Sequence, residues 1–227
     1  IMDKNGKAIG RHVGKETSYK PDPNLPWWLR GGSTKPTTAA GVNSFTWDMR
    51  YDGATTFDGM IIWSARPARG PKAVPGDYTI KMISGDQVEE HNFTIHMNPN
   101  LKGITIQDLQ EQFDLAIRIR DKTSMANETV IQIRKVRDQI DQKIKDNDSG
   151  IDAERAKEVL EEMKSIEEAL YQTKNRSNQD PLNFPIRLNN RLASLRRSLE
   201  NGDAKPSNGA YKVFEELSQE LDKELNK

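Results

Sequence analysis

Hydrophobic and polar positions follow two different periods in this chain, and the change comes near Pro99. Ahead of it the period is two. Phe45, Trp47, Met49 and Tyr51 alternate with Ser44, Thr46, Asp48 and Arg50, which predicts a strand with four large side chains on one face. Met60 to Ser64 is a short apolar run. Asp77 to Ser84 carries Tyr78, Ile80 and Met82 on one face, Gly85-Asp86 supplies a turn, and Phe93, Ile95 and Met97 alternate on the return, so a hairpin is expected. Ile1 to Asp3 and Lys7 to Val13 flank the turn pair Asn5-Gly6 and predict a second one. About six strands without an intervening helical stretch point to an antiparallel β-sandwich of immunoglobulin or fibronectin type.

Beyond Pro99 the period becomes 3.6. Thr105 and Asp108 have the spacing of a capping box, and Leu109, Phe113, Ala116 and Ile117 follow at helical spacing. The pattern runs through Val130, Ile133, Arg137, Ile140 and Ile144, predicting one helix of about forty residues whose weakest stretch is Lys122 to Ala126. A second helix is expected from Asp152 to Thr173 with the stripe Ala156, Val159, Leu160, Met163, Ile166 and Leu170. Leu188, Leu192, Leu195 and Leu199 mark a third, and Ser207 caps a fourth with the stripe Ala210, Phe214, Leu217, Leu221 and Leu225. The expectation is an α+β multidomain chain: a β-sandwich over residues 1–98 and an antiparallel helical bundle over residues 99–227.

Composition sharpens this division. Residues up to Asn98 hold 12 basic and 10 acidic side chains and those after it 22 and 24, so the second part is the more charged. All four tryptophans fall in the first part, and residues 100–180 contain no proline, which leaves helices there uninterrupted. Over the whole chain 34 basic residues balance 34 acidic ones, which gives no field to steer nucleic acid or an anionic membrane. No apolar run reaches the length of a membrane span. The absence of cysteine excludes disulfides, thiolate metal sites and thiol nucleophiles.

Candidate chemistry is sparse. His12, His91 and His96 lie in predicted strands without a second ligand at metal-binding spacing, and no G-x-S-x-G, G-x-x-x-x-G-K-[ST] or G-x-G-x-x-G sequence occurs. Asp146, Asp148, Gly150 and Asp152 suggest a calcium loop, but the sixth and twelfth positions are Ile151 and Lys157 where an EF-hand needs Gly and Glu; turn chemistry is the simpler reading. Carboxylate pairs such as Glu161 with Glu162 and Glu215 with Glu216 sit on polar helix faces. No catalytic residue, cofactor or metal is therefore expected. The segment from Pro21 to Gly32 is different: Trp27 and Trp28, with Arg30 beside them, lie in a long connection and could contact a ligand or another domain.

The run Gly41-Val42-Asn43-Ser44-Phe45-Thr46-Trp47-Asp48-Met49-Arg50-Tyr51, followed by Gly70-Pro71-Lys72-Ala73-Val74-Pro75-Gly76-Asp77-Tyr78, resembles the region downstream of the propeller in large bacterial proteins with sortilin-like or bacterial-neuraminidase-type repeats. Asp108 to Gln112, Ile131 to Arg137, and Asp180 to Ile186 with Leu188-Asn189-Asn190 look like the helical tail of the same proteins. The resemblance implies an exported bacterial protein, often labelled a glycosyl hydrolase, of which this chain is the C-terminal, non-propeller portion. A start at Ile1 and not at Met agrees with a piece of a longer protein. The expected function is a non-catalytic accessory and interaction module whose partner is the upstream β-propeller of the same protein. The alternative is a carbohydrate-binding or carbohydrate-active portion working through Trp27 and Trp28. Carbohydrate and other proteins are further candidate partners; nucleic acid and a membrane span are not.

Overall fold

The structure is a computed structural model that describes residues 1–14, 36, 38, 40–146 and 152–227. Its elements run β1 (Met2–Asp3), β2 (Arg50–Asp52), β3 (Arg69–Lys72), β4 (Gly76–Ser84), β5 (Gln87–Ile95), α1 (Ile106–Lys145), α2 (Ala153–Leu170), a 3-10 turn (Asp180–Leu182), α3 (Leu188–Leu199) and α4 (Asn208–Leu225). The fold is α+β, with sheets of three and two strands among the described residues and four α-helices. The chain divides into two compact units, Ile1–Tyr51 with Pro75–His96, and Asp52–Val74 with Met97–Lys227. This partition differs from the single cut expected at residue 98. Residues 52–74, read from the sequence as part of the β domain, fold with the helices.

In the first unit the sheet order is β1-β4-β5 and both pairings are antiparallel. β4 and β5 match over their full length, from Gly76 opposite Ile95 to Ser84 opposite Gln87, around a turn in which Gly85 takes φ +60°. A side chain there would be strained, which explains the glycine. β1 pairs only through Met2 with Thr79 and Asp3 with Tyr78. Its own turn is closed by Asp3, whose carboxylate accepts the Asn5 and Lys7 amides at 2.9 and 3.0 Å, with Gly6 at φ +75°. The core is a ring cluster: Trp47 lies edge-on to Tyr78 and Phe93, and those two stack at 5.8 Å. Burial, with Tyr78 and Asp3 nearby, pushes the Tyr51 hydroxyl well above the ordinary tyrosine range.

The predicted strand over 44–51 forms only at its end, as β2. Met49 stands at φ +55°, a left-handed conformation that interrupts an extended chain, and its side chain is exposed where the alternation placed it inside. Trp47 does turn inward, with its indole N–H donating to the Arg50 carbonyl at 2.9 Å. The apolar run Met60 to Ser64 is not a strand either. These two departures reduce the expected sandwich to small sheets among the described residues.

The helices follow the sequence closely. α1 is continuous for 40 residues, through Lys122 to Ala126, and its capping box is complete: the Asp108 amide donates to the Thr105 hydroxyl and the Thr105 amide to the Asp108 carboxylate. Those Thr105 hydrogen bonds hold the Asp108 carboxyl below its ordinary value. Asp152 caps α2 and Ser207 caps α4. The four helices share a core of Leu115, Ile119, Ala126, Val130, Leu170, Leu188, Leu192, Phe214, Leu217 and Leu221. Along α1 the buried line also includes the polar residues Gln112, Thr123 and Asn127. Phe113 and Ile117, expected in the stripe, are only half-buried.

Candidate functional site

Residues 52–74 cross the second unit as a strap with little regular structure outside its strand ends, and the polar atoms of the helices are aimed at its backbone. Three side chains on neighbouring turns of α1 hold Thr55. The Thr55 amide donates to the Ser124 hydroxyl at 3.1 Å, the Asn127 side-chain amide donates to the Thr55 carbonyl at 2.6 Å, and the Thr55 hydroxyl donates to Glu128 at 2.6 Å. One turn earlier, Arg120 donates to the Asp52 carbonyl at 2.9 Å. Positions 120, 124, 127 and 128 share one helix face because they are separated by three or four residues.

α3 grips the other half. Asn190 imitates a strand partner for Trp63: its carbonyl accepts the Trp63 amide at 2.7 Å while its amide donates to the Trp63 carbonyl at 3.0 Å. Arg197 donates to the Ser64 carbonyl and hydroxyl, where Ser64 takes φ +53°. Arg196 is buried, ion-paired to Glu200 and donating to the carbonyls of Arg66 and Arg69. Between these grips the Ile61 amide donates to the Tyr171 hydroxyl at 3.1 Å. The Phe57 ring meets Tyr171 edge-on at 5.0 Å, and the Arg134 guanidinium lies 4.6 Å from the Phe57 centroid. Gly53 lies so close to Ala68 that a methyl group there would collide with its carbonyl.

Two features complete this framework. Asn127 is fully buried and also accepts the Asn189 amide at 2.9 Å, so one buried asparagine links the strap to α3. Glu167, almost fully buried, takes Arg134 at 2.7 Å and Arg137 at 3.0 Å. The same logic closes a helix end: buried Gln112 donates to the carbonyls of Leu199 and Gly202, both at 2.7 Å. In a buried setting each donor and acceptor left unmatched is costly, so these contacts fix the strap residue by residue.

The residues singled out in the sequence have other fates. Trp27, Trp28 and Arg30 lie outside the described residues, as do Asp148 and Gly150 of the suggested calcium loop. Asp146 is engaged by Gln142 and Asp152 by the first amides of α2, which is turn and cap chemistry. His12, His91 and His96 are exposed, and His12 rests against Phe45 at 4.5 Å. No group of three or more metal-ligating side chains is gathered among the described residues. Asp48 and Asp52 are exposed. Glu215 borders an open groove of about 590 Å³ between α1 and α4, with Arg118, Lys122, Met125, Tyr211 and Phe214; Arg118 lies over the Phe214 ring and Lys122 pairs with Asp222. Asn92, Asn127, Asn147 and Asn175 each open an N-x-[ST] triplet; Asn147 lies outside the described residues, and of the other three only Asn92 is exposed. No described helix is long and apolar enough to cross a membrane.

The residues that organise the strap, Ser124, Asn127, Tyr171, Asn190, Arg196 and Arg197, were not visible as a set in the sequence. The one available signal was polar residues at stripe positions: Asn127 and Asn189 each fall next to a buried apolar residue, Ala126 and Leu188. No family model, curated protein or solved structure matches this chain.

Proposed function

We propose that this chain is a non-catalytic accessory and interaction module of a larger exported bacterial β-propeller protein. In finer terms it would be a β-sandwich-type domain joined to an antiparallel helical bundle. One observation carries the reading: residues of the family-like motifs stand at framework positions. Trp47 anchors the ring cluster, Pro71 is fully buried in the strap, and Asn189 and Asn190 belong to the clamp that holds it. Motif residues spent on internal backbone contacts support a scaffold that presents surfaces, since a catalytic group must keep its reactive atoms open to substrate. Export and the propeller partner rest on the resemblance alone.

The test has two arms. The chain at micromolar concentration is expected to release nothing from aryl glycosides or polysaccharides, and to bind the separately produced propeller portion of its parent protein in a saturable manner by calorimetry. Turnover that disappears in folded Asp48→Asn or Asp52→Asn variants, or a propeller portion that ignores the chain, overturns the proposal.

A further inference from the structure

Three Asn-Gly pairs occur in the chain: Asn5-Gly6, Asn201-Gly202 and Asn208-Gly209. Each pair carries its own electrophile and nucleophile. The glycine amide nitrogen can attack the Cγ of the asparagine, and it is left uncovered because glycine has no Cβ. The fold then separates the three.

Asn5-Gly6 is tied down. The Gly6 amide donates to the Asp3 carbonyl and the Asn5 amide to the Asp3 carboxylate, both at 2.9 Å, so this turn must open before the nitrogen can react. Asn208 is the first residue of α4, where Ser207 accepts the Ala210 amide through its carbonyl at 3.0 Å and its hydroxyl at 3.2 Å. Ring closure at Asn208 needs a ψ outside the helical range, so the first turn must unwind. Asn201-Gly202 has neither protection. It lies between α3 and α4 with both residues exposed, and the Gly202 amide has no acceptor among the described residues. Chain neighbours apart, no atom stands within 4 Å of where a Gly202 side chain would begin.

The surroundings of Asn201 make its chemistry matter. Buried Gln112 holds the Leu199 and Gly202 carbonyls on either side of it, both at 2.7 Å. Glu200 pairs with Arg196 and accepts the Lys72 amide at 3.0 Å, and Asp203 pairs with the Lys72 ammonium at 2.9 Å. Both neighbouring carboxylates are therefore committed to fixing the end of α3 against the strap.

We propose that Asn201 is a site of spontaneous conversion to aspartate and isoaspartate, a slow one-way switch in the turn between α3 and α4. The Gly202 nitrogen gives its proton to solvent and bonds to the Asn201 Cγ; the bond from Cγ to the side-chain nitrogen breaks, and ammonia leaves. Water then opens the cyclic imide. Cleavage of the new bond from nitrogen to Cγ gives aspartate, and cleavage at the original main-chain carbonyl gives isoaspartate. One water is consumed and one ammonia released, with no oxidant or reductant. Either product adds a carboxylate between Glu200 and Asp203. Isoaspartate also routes the main chain through one extra carbon, which carries the Gly202 carbonyl away from Gln112 and leaves a buried donor unmatched.

The experiment incubates the intact chain at neutral pH, folded or in urea, and measures conversion at each asparagine by peptide mass spectrometry with isoaspartate detection. In urea the three pairs are expected to convert at similar rates. In the folded chain Asn201 should convert at least about tenfold faster than Asn5 or Asn208, whose turn or helix must first open. Gly202→Ala, which the open space accepts, should slow conversion at Asn201 and leave the other two unchanged. Folded chain carrying isoaspartate, separated by ion exchange, should unfold at a lower temperature than the unconverted chain. Equal rates at the three pairs in the folded chain, or slower conversion at Asn201 than at either other pair, overturns the proposal. A converted chain with an unchanged midpoint overturns the switch.

Discussion

Replacing Asn127 by alanine tests the clamp at its centre. Asn127 is fully buried, donates to the Thr55 carbonyl at 2.6 Å and accepts from Asn189 at 2.9 Å. Truncation leaves a strap carbonyl and a buried amide unmatched, at about 1–3 kcal/mol each. Alanine returns about 0.6 kcal/mol in helix propensity at this interior α1 position. The net loss is therefore about 3 kcal/mol. In urea unfolding followed by circular dichroism at 222 nm, with a slope near 2 kcal/mol/M, the midpoint should fall by roughly 1.5 M. Asn189→Ala should cost about 2 kcal/mol, since it orphans the Asn127 carbonyl. The double variant should cost less than the sum by about 1 kcal/mol, because the second truncation removes the group that the first left unmatched. A loss below about 1 kcal/mol for Asn127→Ala, or strict additivity in the cycle, would refute the claim that this buried pair holds the strap.

Other positions give independent checks. Gly53→Ala should destabilise the second unit by about 1–3 kcal/mol, because the added methyl meets the Ala68 carbonyl; thermal unfolding reads this, and an unchanged midpoint would mean that the strap can shift. Glu167→Gln should cost about 3 kcal/mol, since the Arg134 and Arg137 contacts lose their buried counter-charge, whereas Glu158→Gln, whose Arg155 pair is exposed, should cost less than about 0.5 kcal/mol. The Asp108 carboxyl is held below its ordinary value of 3.8 by hydrogen bonds from Thr105, so its contribution is complete above that value and is lost as pH falls through the lower folded-state value. The protection factors of amides in the first α1 turn, taken relative to the intrinsic exchange rate at each pH, should accordingly begin to fall as the solution is acidified below about pH 4, and Asp108→Asn should remove that pH dependence while leaving lower protection throughout.

Helix starts were legible in the chain because their determinants are local, whereas α2 ends at Leu170, three residues short of the expected Thr173. Thr105 with Asp108, Asp152 and Ser207 each satisfy backbone donors within three residues, and the leucine spacing of α3 and α4 needs no distant information. The β4-β5 hairpin was legible for the same reason, its turn being set by Gly85-Asp86. What the sequence could not show was which elements share a core. Residues 52–74 carry apolar side chains that read as strand, but the side chains that hold their backbone lie 68 to 133 positions away, from Arg120 to Arg197. Pairings at that separation leave no periodic trace. Asn127, Asn190 and Arg196 look like ordinary polar residues in one dimension and become clamp atoms only when α1 and α3 pack together. Tertiary structure alone decided the strap, because a buried carbonyl can be satisfied by any donor that the fold brings within reach, and neither the donor's residue type nor its place in the chain is fixed by the segment it holds.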